Sequence, residues 1–155
     1  MTIDNRPGVA VLEAHTCLSL LRGADVGRLA LAVDGRPEIF PVNYLVDHGT
    51  ILFRTGAGTK FAGIIAGRYV AFEVDGYQPE AGEAWSVVVK GRAEEITILT
   101  EVLDAMTFPL FPWHAGLKPH FVRIVPDDIS GRRFRVLDSS AQRTPMTDAH
   151  RSAAE

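Results

Sequence analysis

The sequence has one cysteine, no long apolar run and no excess of positive charge. Cys17 alone cannot form an internal disulfide, and the five histidines lack the spacing of metal ligands, so we expect neither disulfides nor a metal site. No apolar run reaches the length of a membrane-spanning helix, which takes about 18 residues or more. The 155 residues carry 16 Lys and Arg against 19 Asp and Glu, which argues against a nucleic-acid partner or a membrane surface.

The motifs of several widespread catalytic sites are also missing. The sequence has no Gly-x-Ser-x-Gly, no Walker loop, no His-Glu-x-x-His and no Gly-x-Gly-x-x-Gly between a strand and a helix. No cationic segment followed by an apolar one marks a secretory signal at the N-terminus. With 46% apolar and 23% charged residues, the composition is that of a globular protein. We expect a single cytoplasmic domain without a catalytic constellation of side chains.

Strand-forming runs separated by turn residues predict a mainly β fold with accessory helices. Asp34-Gly35 separates runs at 26–33 and 37–46, and Asp47-His48-Gly49 leads into a third run that ends at Thr55, which predicts an antiparallel meander. Further strands are predicted at 69–74, 85–93, 120–125 and 132–136, a polar loop at 76–82, and helices at 11–21, 59–67 and 101–106.

Six or seven strands at this spacing, without alternating helices, favour a small barrel over a parallel sheet. We expect the barrel domain to span residues 1–137. Residues 138–155 are small and polar and predict a flexible tail.

The segment from Arg54 to Lys60 has the composition of a phosphate site. An arginine at a strand end offers a planar fork of donors, and small residues let the main chain approach a ligand closely. A following helix N-terminus would add free N–H groups, and Lys60 a point charge. The alternative is a glycine-rich turn with two solvated cations.

Three other places can contribute to a ligand site. Pro41-Val42-Asn43 puts a proline inside a strand, which is usual only at edges or bulges. Trp85-Ser86 begins a long strand where a barrel wall can meet a pocket, although Trp85 also suits the core. Trp113 stands in a proline-rich aromatic segment of the kind that packs on a partner or a ligand.

Five short motifs follow one another along the chain. They are Val26-Gly27-Arg28-Leu29-Ala30, Pro41-Val42-Asn43-Tyr44, Phe53-Arg54-Thr55-x-x-Gly58-Thr59-Lys60, Val70-Ala71-Phe72-Glu73-Val74-Asp75 and Trp85-Ser86-Val87-x-Val89-x-Gly91. In this order they resemble the pyridoxamine 5′-phosphate oxidase-like, FMN-binding split-barrel proteins. The resemblance covers residues 12–137 and is greatest to the small actinobacterial branch that includes nitroimidazole-resistance-type reductases.

The resemblance implies a six-stranded antiparallel split β-barrel that forms a homodimer, with one FMN in each of two grooves between the subunits. The residues that correspond to cofactor contacts fall into three groups. They are Arg54, Thr55, Gly58, Thr59 and Lys60 at the flavin phosphate, Pro41, Val42 and Asn43 along the isoalloxazine ring, and Trp85, Ser86 and Trp113 at the groove wall.

The sequence departs from true pyridoxamine 5′-phosphate oxidases in one respect. Their substrate-holding motifs, Glu-Phe-Trp-Gln and Arg-Leu-His, are absent from the corresponding region, residues 120–134. The resemblance therefore implies a flavin-dependent oxidoreductase that acts on an unidentified small molecule. The alternatives are a reductase of the same fold that uses a deazaflavin cofactor and a non-catalytic protein that binds flavin or haem.

Overall fold

The computed structural model describes residues 7–55, 67–97, 100–101 and 120–136. Within them the chain is mainly antiparallel β-structure, which confirms the predicted fold class. The elements in chain order are β1 (Val9–Leu12), α1 (Ala14–Arg22), β2 (Val26–Val33), β3 (Arg36–Asp47), β4 (Thr50–Thr55), β5 (Tyr69–Gln78), β6 (Glu83–Glu95) and β7 (His120–Arg135).

Two tight turns connect the strands of the predicted meander. Asp34 and Gly35 have φ values of 49° and 75°, and His48 and Gly49 have φ values of 48° and 75°. Positive φ at both central residues is required by the type I′ turn, whose twist matches that of the strands it joins. The turns set the register of β2 with β3 and of β3 with β4, so the meander is confirmed.

The sheet closes into a ring of six strands. The bonded order is β1-β7-β4-β3-β2-β5-β6, and β6 also pairs with β7. β7 closes the ring because it is long enough to serve both neighbours: residues 120–124 pair with β4, and residues 122–135 pair with β6. β1 lies beside the far end of β7, at residues 131–134. This is the predicted six-stranded split barrel, with β1 as an added strand.

A β-bulge bends β7 where it passes β6. The register shifts between Lys90 and Gly91, which leaves Asp127 as an extra residue in β7. A Cβ atom on Gly91 would lie 2.0 Å from the main-chain oxygen of Val125, so only glycine fits at this crossing.

The core fills the interior of the ring. Alternate residues of β2, β5 and β6 are buried, as expected for strands with one face inside a barrel. α1 adds Cys17 and Leu21 to this core. The largest fully buried side chains are Phe53, Phe72, Phe121, Leu21, Leu29, Ile51, Leu52, Ile124, Val74, Val87 and Val89.

The first predicted helix begins later than expected. Residues 11 and 12, predicted as the start of this helix, belong to β1, because residues 9–12 pair with the distant end of β7. The helix proper starts at Ala14, and Gly23 follows its last residue as predicted.

Two predicted strand limits were also wrong. β5 continues to Gln78 through the predicted loop, since each added residue finds a partner in β6 as far as Glu83. β7 is continuous where two separate strands were predicted, because β6 pairs along almost its whole length.

The predicted helices at 59–67 and 101–106 lie outside the described residues except for Gly67 and Glu101, and the predicted tail at 138–155 lies wholly outside them. Across the part of the chain that is described, no helix has the length and apolar character needed to cross a membrane.

Candidate functional site

β3 parts from β4 midway along its length. The two strands pair only as far as Tyr44 and Phe53, whereas residues 36–43 pair, among the described strands, with β2 alone. The N–H of Tyr44 donates to the main-chain oxygen just before β2. Because N–H directions alternate along a strand, the nitrogens of Pro41 and Asn43 face the other edge, where no described strand pairs with them; we call it the open edge. A proline fits there because it has no N–H to donate.

Arg54 lies at the end of β4, just past the point where the strands part. It faces Phe121 of β7, and its guanidinium carbon lies 5.0 Å from the centroid of that ring. Phe121 is buried in a small apolar cluster with Leu52 and Ile96. The ring therefore gives the half-buried arginine a fixed cation–π support. Asn43 is the corresponding residue of β3, the first one past the last pair.

The three residues predicted to lie along a planar ligand do not share one face of β3. Val42 packs against the core inside the barrel. Pro41 and Asn43 are its neighbours on the strand and therefore point outward. Pro41 is exposed there, whereas Asn43 is half-buried and its side-chain oxygen is buried.

An ion cluster lies on the outer surface of β2 and β5. Arg28 Nη1 donates to Glu73 Oε2 at 3.0 Å and to Asp75 Oδ2 at 3.1 Å. Burial and a hydrogen bond with Asp75 raise the pKa of Glu73. Arg28 also faces Pro41 across the β2–β3 pair, so the cluster is one strand away from the open edge of β3.

Trp85 and Ser86 lie on opposite faces of β6. Trp85 packs against the core, and a Cβ atom on Gly76 would lie 2.5 Å from its indole Nε1. Ser86 faces Asp75 of β5 on one side and Arg132 of β7 on the other. Of this predicted pair, only Ser86 lies on the outer surface.

One copy of the chain does not bring the predicted site residues together. In the ring, β6 is three strands away from β3 in either direction, so Ser86 and Pro41 lie on opposite sides of the barrel. Arg54 and Asn43 belong to the Pro41 side. The side chain of Thr55 and the whole of Gly58, Thr59, Lys60 and Trp113 lie outside the described residues.

Two other polar groups stabilise the barrel away from this site. The Tyr44 hydroxyl donates to the Leu21 carbonyl, and burial raises the pKa of Tyr44, so it stays neutral. Arg123 Nη1 donates to Asp47 Oδ2 at 3.0 Å, and His48 Nδ1 is hydrogen-bonded to Asp47 Oδ1 at 2.8 Å. Burial by itself would raise the pKa of the Asp47 carboxyl, but these hydrogen bonds outweigh the effect of burial and lower the pKa.

The sequence analysis did not find the cross-strand pairs that Arg28 and Arg132 form. Arg28 lies opposite Glu73 and Arg132 lies opposite Ser86, and these pairs follow only from the register of the strands. The dense run of arginines at 132–135 was the one available signal. No group of three or more His, Cys, Asp or Glu side chains that could hold a metal occurs within the described ranges.

A closed antiparallel ring in which two neighbouring strands part midway, within the described residues, defines a split-barrel protein. A family model described as pyridoxamine 5′-phosphate oxidase matches residues 13–133, which is most of the chain. The chain therefore belongs to the pyridoxamine 5′-phosphate oxidase family, as the resemblance implied.

Two solved structures share the fold across nearly their whole length. A Corynebacterium glutamicum protein proposed to be a pyridoxamine 5′-phosphate oxidase is 38% identical with a TM-score of 0.77, and the match covers 88% of this chain and 99% of that one. The FAD binding protein from Mycobacterium smegmatis is 36% identical with a TM-score of 0.70, over 81% and 98% of the two chains. An uncharacterized Mycobacterium tuberculosis protein, Rv3129, is 44% identical over 91 residues, 59% of this chain and 81% of that protein.

Proposed function

We propose that this protein binds a flavin nucleotide and uses it for redox chemistry. The observation that carries the proposal is its 36% identity to a protein named for FAD binding, over 98% of that protein. A fold by itself does not imply a function, so the proposal also requires residues in this chain that fit the ligand.

The opening between β3 and β4 fits the two ends of a flavin. The edge at Pro41 and Asn43 offers main-chain groups to the polar rim of a planar ring, and Asn43 adds an amide side chain whose oxygen is buried in the chain alone. Arg54 offers a planar fork of N–H donors to a phosphate. Phe121 supports that guanidinium at 5.0 Å, which reduces the freedom that the arginine loses when a ligand binds. In the sequence that follows, Thr55 and Lys60 supply a hydroxyl and a second positive charge.

The proposed cofactor is FMN, with FAD as its competitor. FMN is what the resemblance implies, whereas the Mycobacterium smegmatis relative is named for FAD. Both ligands contain the isoalloxazine ring, the ribityl chain and the phosphate attached to it. The Arg54 corner recognises that shared phosphate, so riboflavin should bind much more weakly than either.

A homodimer would complete the site. Two copies related by a twofold axis can pack through the surface of β2 and β5, where Arg28, Glu73 and Asp75 form the ion cluster. β3 and β6 flank that surface on its two sides. The twofold axis then sets the Arg54 side of one copy against the Ser86 side of the other, which gives two equivalent grooves. This arrangement accounts for the separation of the predicted residues within one chain.

The proposed activity is that of an oxidoreductase. When bound, a flavin supplies electron and hydride transfer, which explains why the chain needs no catalytic constellation of its own. The chain binds the phosphate, orients the ring along β3 and limits the access of water. The substrate motifs of true pyridoxamine 5′-phosphate oxidases are absent from the sequence, so we propose a different small-molecule substrate.

The visible absorbance of the protein as purified tests this proposal. We expect the two-band spectrum of an oxidised flavin, and FMN as the ligand that mass spectrometry identifies after denaturation. A protein purified without ligand is titrated with FMN, FAD, riboflavin and a deazaflavin cofactor. A deazaflavin or haem in place of flavin, or failure to bind either flavin nucleotide, overturns the proposal. Tight flavin binding without turnover with any electron donor identifies a non-catalytic binding protein.

A further inference from the structure

The ion cluster on the outer face of β2 and β5 holds two carboxylates against one guanidinium. Arg28 Nη1 donates to both of them, to Glu73 Oε2 at 3.0 Å and to Asp75 Oδ2 at 3.1 Å. Glu73 and Asp75 are two residues apart on β5 and therefore point to the same side. We call these two residues the carboxylate pair. When both carboxylates are ionised, the cluster carries one uncompensated negative charge.

The two strands that flank β5 differ in what they bring to the carboxylate pair. On β2, Arg28 lies directly opposite Glu73. On β6, the residues opposite the pair are Val88 and Ser86, which carry no charge. The guanidinium of Arg28 is therefore the directly facing charge that the two carboxylates share.

Two further cations lie on the same outer face but farther from the pair. Lys90 of β6 lies opposite Ala71 on one side and opposite Asp128 of β7 on the other, so the charges of Lys90 and Asp128 balance each other. Arg132 belongs to β7, which is two strands away from β5. These cations leave the second carboxylate of the pair without a compensating charge directly opposite it.

Apolar side chains surround the ion cluster on the outer face. Pro41 and Val88 continue its row on the two sides, opposite Arg28 and Glu73 respectively. The neighbouring row is wholly apolar, with Ile39, Ala30 and Ala71 opposite one another on β3, β2 and β5. A second copy that packs on this face would therefore exclude water from around the cluster.

One shared proton removes the uncompensated charge. When Glu73 is protonated, its O–H donates to an oxygen of Asp75, and Arg28 keeps one ionised carboxylate as its partner. Burial, the hydrogen bond with Asp75 and the charge of Asp75 raise the pKa of Glu73, although Arg28 opposes them. The carboxylate pair therefore takes up its proton at a higher pH than an isolated glutamate.

Covering this face increases the cost of the uncompensated charge. The side chains of Glu73 and Asp75 are 30% and 54% exposed, so both still have water to lose. Taking an unbalanced charge out of water costs much more than burying a neutral, hydrogen-bonded carboxyl group. We propose that dimerisation through the face of β2 and β5 takes up a proton from solvent at each carboxylate pair, so that the dimer is strengthened by acid and weakened as the pH rises.

Proton uptake would regulate the cofactor site. The two grooves exist only between paired copies, so dissociation at higher pH would release the flavin. The inference rests on the homodimer of the proposed function. The proton uptake itself depends only on the face of β2 and β5 and is measured without reference to the flavin.

Sedimentation equilibrium of the full-length protein between about pH 5 and about pH 8 tests the inference. We expect the dissociation constant of the dimer to be at least about tenfold higher at the alkaline end. Two pairs in each dimer limit the change to about a hundredfold per pH unit. Glu73→Gln and Asp75→Asn each leave Arg28 with one carboxylate, so either variant should dimerise at the alkaline end as tightly as the unmodified protein does in acid. Glu80→Gln, at an exposed glutamate between β5 and β6, is the matched control and should keep the full pH dependence.

A dissociation constant that is the same at both ends of the pH range, or a monomer throughout, overturns the inference. It is also overturned if Glu73→Gln and Asp75→Asn keep the pH dependence of the unmodified protein, which would assign the proton to another group. Flavin content, read from visible absorbance in the same samples, separates these results from the flavin proposal. A flavin-bound dimer that ignores pH refutes the proton uptake alone, and a dimer that tightens in acid without binding any flavin refutes the flavin proposal alone.

Discussion

Replacing Arg54 with alanine tests the phosphate corner most directly. The guanidinium carbon lies 5.0 Å from the ring centroid of Phe121, which is 1% exposed. The change removes one cation–π contact from the folded protein and, if the proposal holds, one charge-assisted hydrogen-bond donor from the flavin site. The two losses differ in size, so they can be separated.

The effect on FMN affinity should exceed the effect on stability. A hydrogen bond to a charged group contributes about 1.5–3 kcal/mol, which corresponds to roughly a ten- to hundredfold loss of FMN affinity. A partly exposed cation–π contact is worth about 0.5–1 kcal/mol, which sets the expected fall in the free energy of unfolding. Riboflavin has no phosphate, so its affinity should stay nearly constant.

Fluorescence titration with FMN and riboflavin, together with urea unfolding, measures both quantities. Arg54→Lys keeps the charge but loses the planar fork, so it should recover little of the FMN affinity. Arg36→Ala removes an exposed arginine elsewhere and should change neither quantity. The difference between FMN and riboflavin should shrink as salt is added, because part of the attraction is screened.

Equal affinity of the unmodified protein for FMN and riboflavin would refute the reasoning. A parallel loss of affinity for both ligands in Arg54→Ala would also count against it, since that pattern indicates a general distortion of the groove. A large loss of stability with unchanged FMN affinity would assign Arg54 a structural role only.

Three further outcomes are expected. Ile39→Glu places a charge on a side chain that is 64% exposed beside the β2–β5 surface, so light scattering should show monomers; an intact dimer would exclude that surface. Gly91→Ala should lower the free energy of unfolding, measured in urea, by about 3 kcal/mol, because the added Cβ would lie 2.0 Å from a main-chain oxygen. Gly23→Ala is the control, since its Cβ would lie 3.5 Å from the nearest atom; similar values for both variants would contradict the bulge geometry. Asp47 has a lowered pKa in the folded protein, so it stabilises the fold above its unfolded pKa, and this contribution to the free energy of unfolding is lost as pH falls below about 4. Asp47→Asn should therefore reduce the loss of unfolding free energy at acid pH, and an unchanged pH dependence would contradict this expectation.

Local sequence determined the meander and its turns. Asp34-Gly35 and His48-Gly49 adopt positive φ at both positions, a choice made within a few residues and so visible in the sequence. The alternating runs on either side of these turns specify which face of each strand is buried. A cationic strand end followed by small residues likewise suggested a phosphate site at Arg54 without knowledge of its neighbours.

Tertiary structure decided which distant segments meet. Val9–Leu12 became a strand only because the end of β7 offers it a partner more than a hundred residues away, and a local pattern does not encode such a pairing. The same pairing, together with β6, brings Ser86, Arg132 and Phe134 to one cavity. Ring closure also set Ser86 on the far side of the barrel from Pro41. Residues that the motifs assign to one predicted ligand site are therefore far apart within one chain. The reason is that strand order in a barrel depends on which strand edges pair and not on the order of the strands in the sequence.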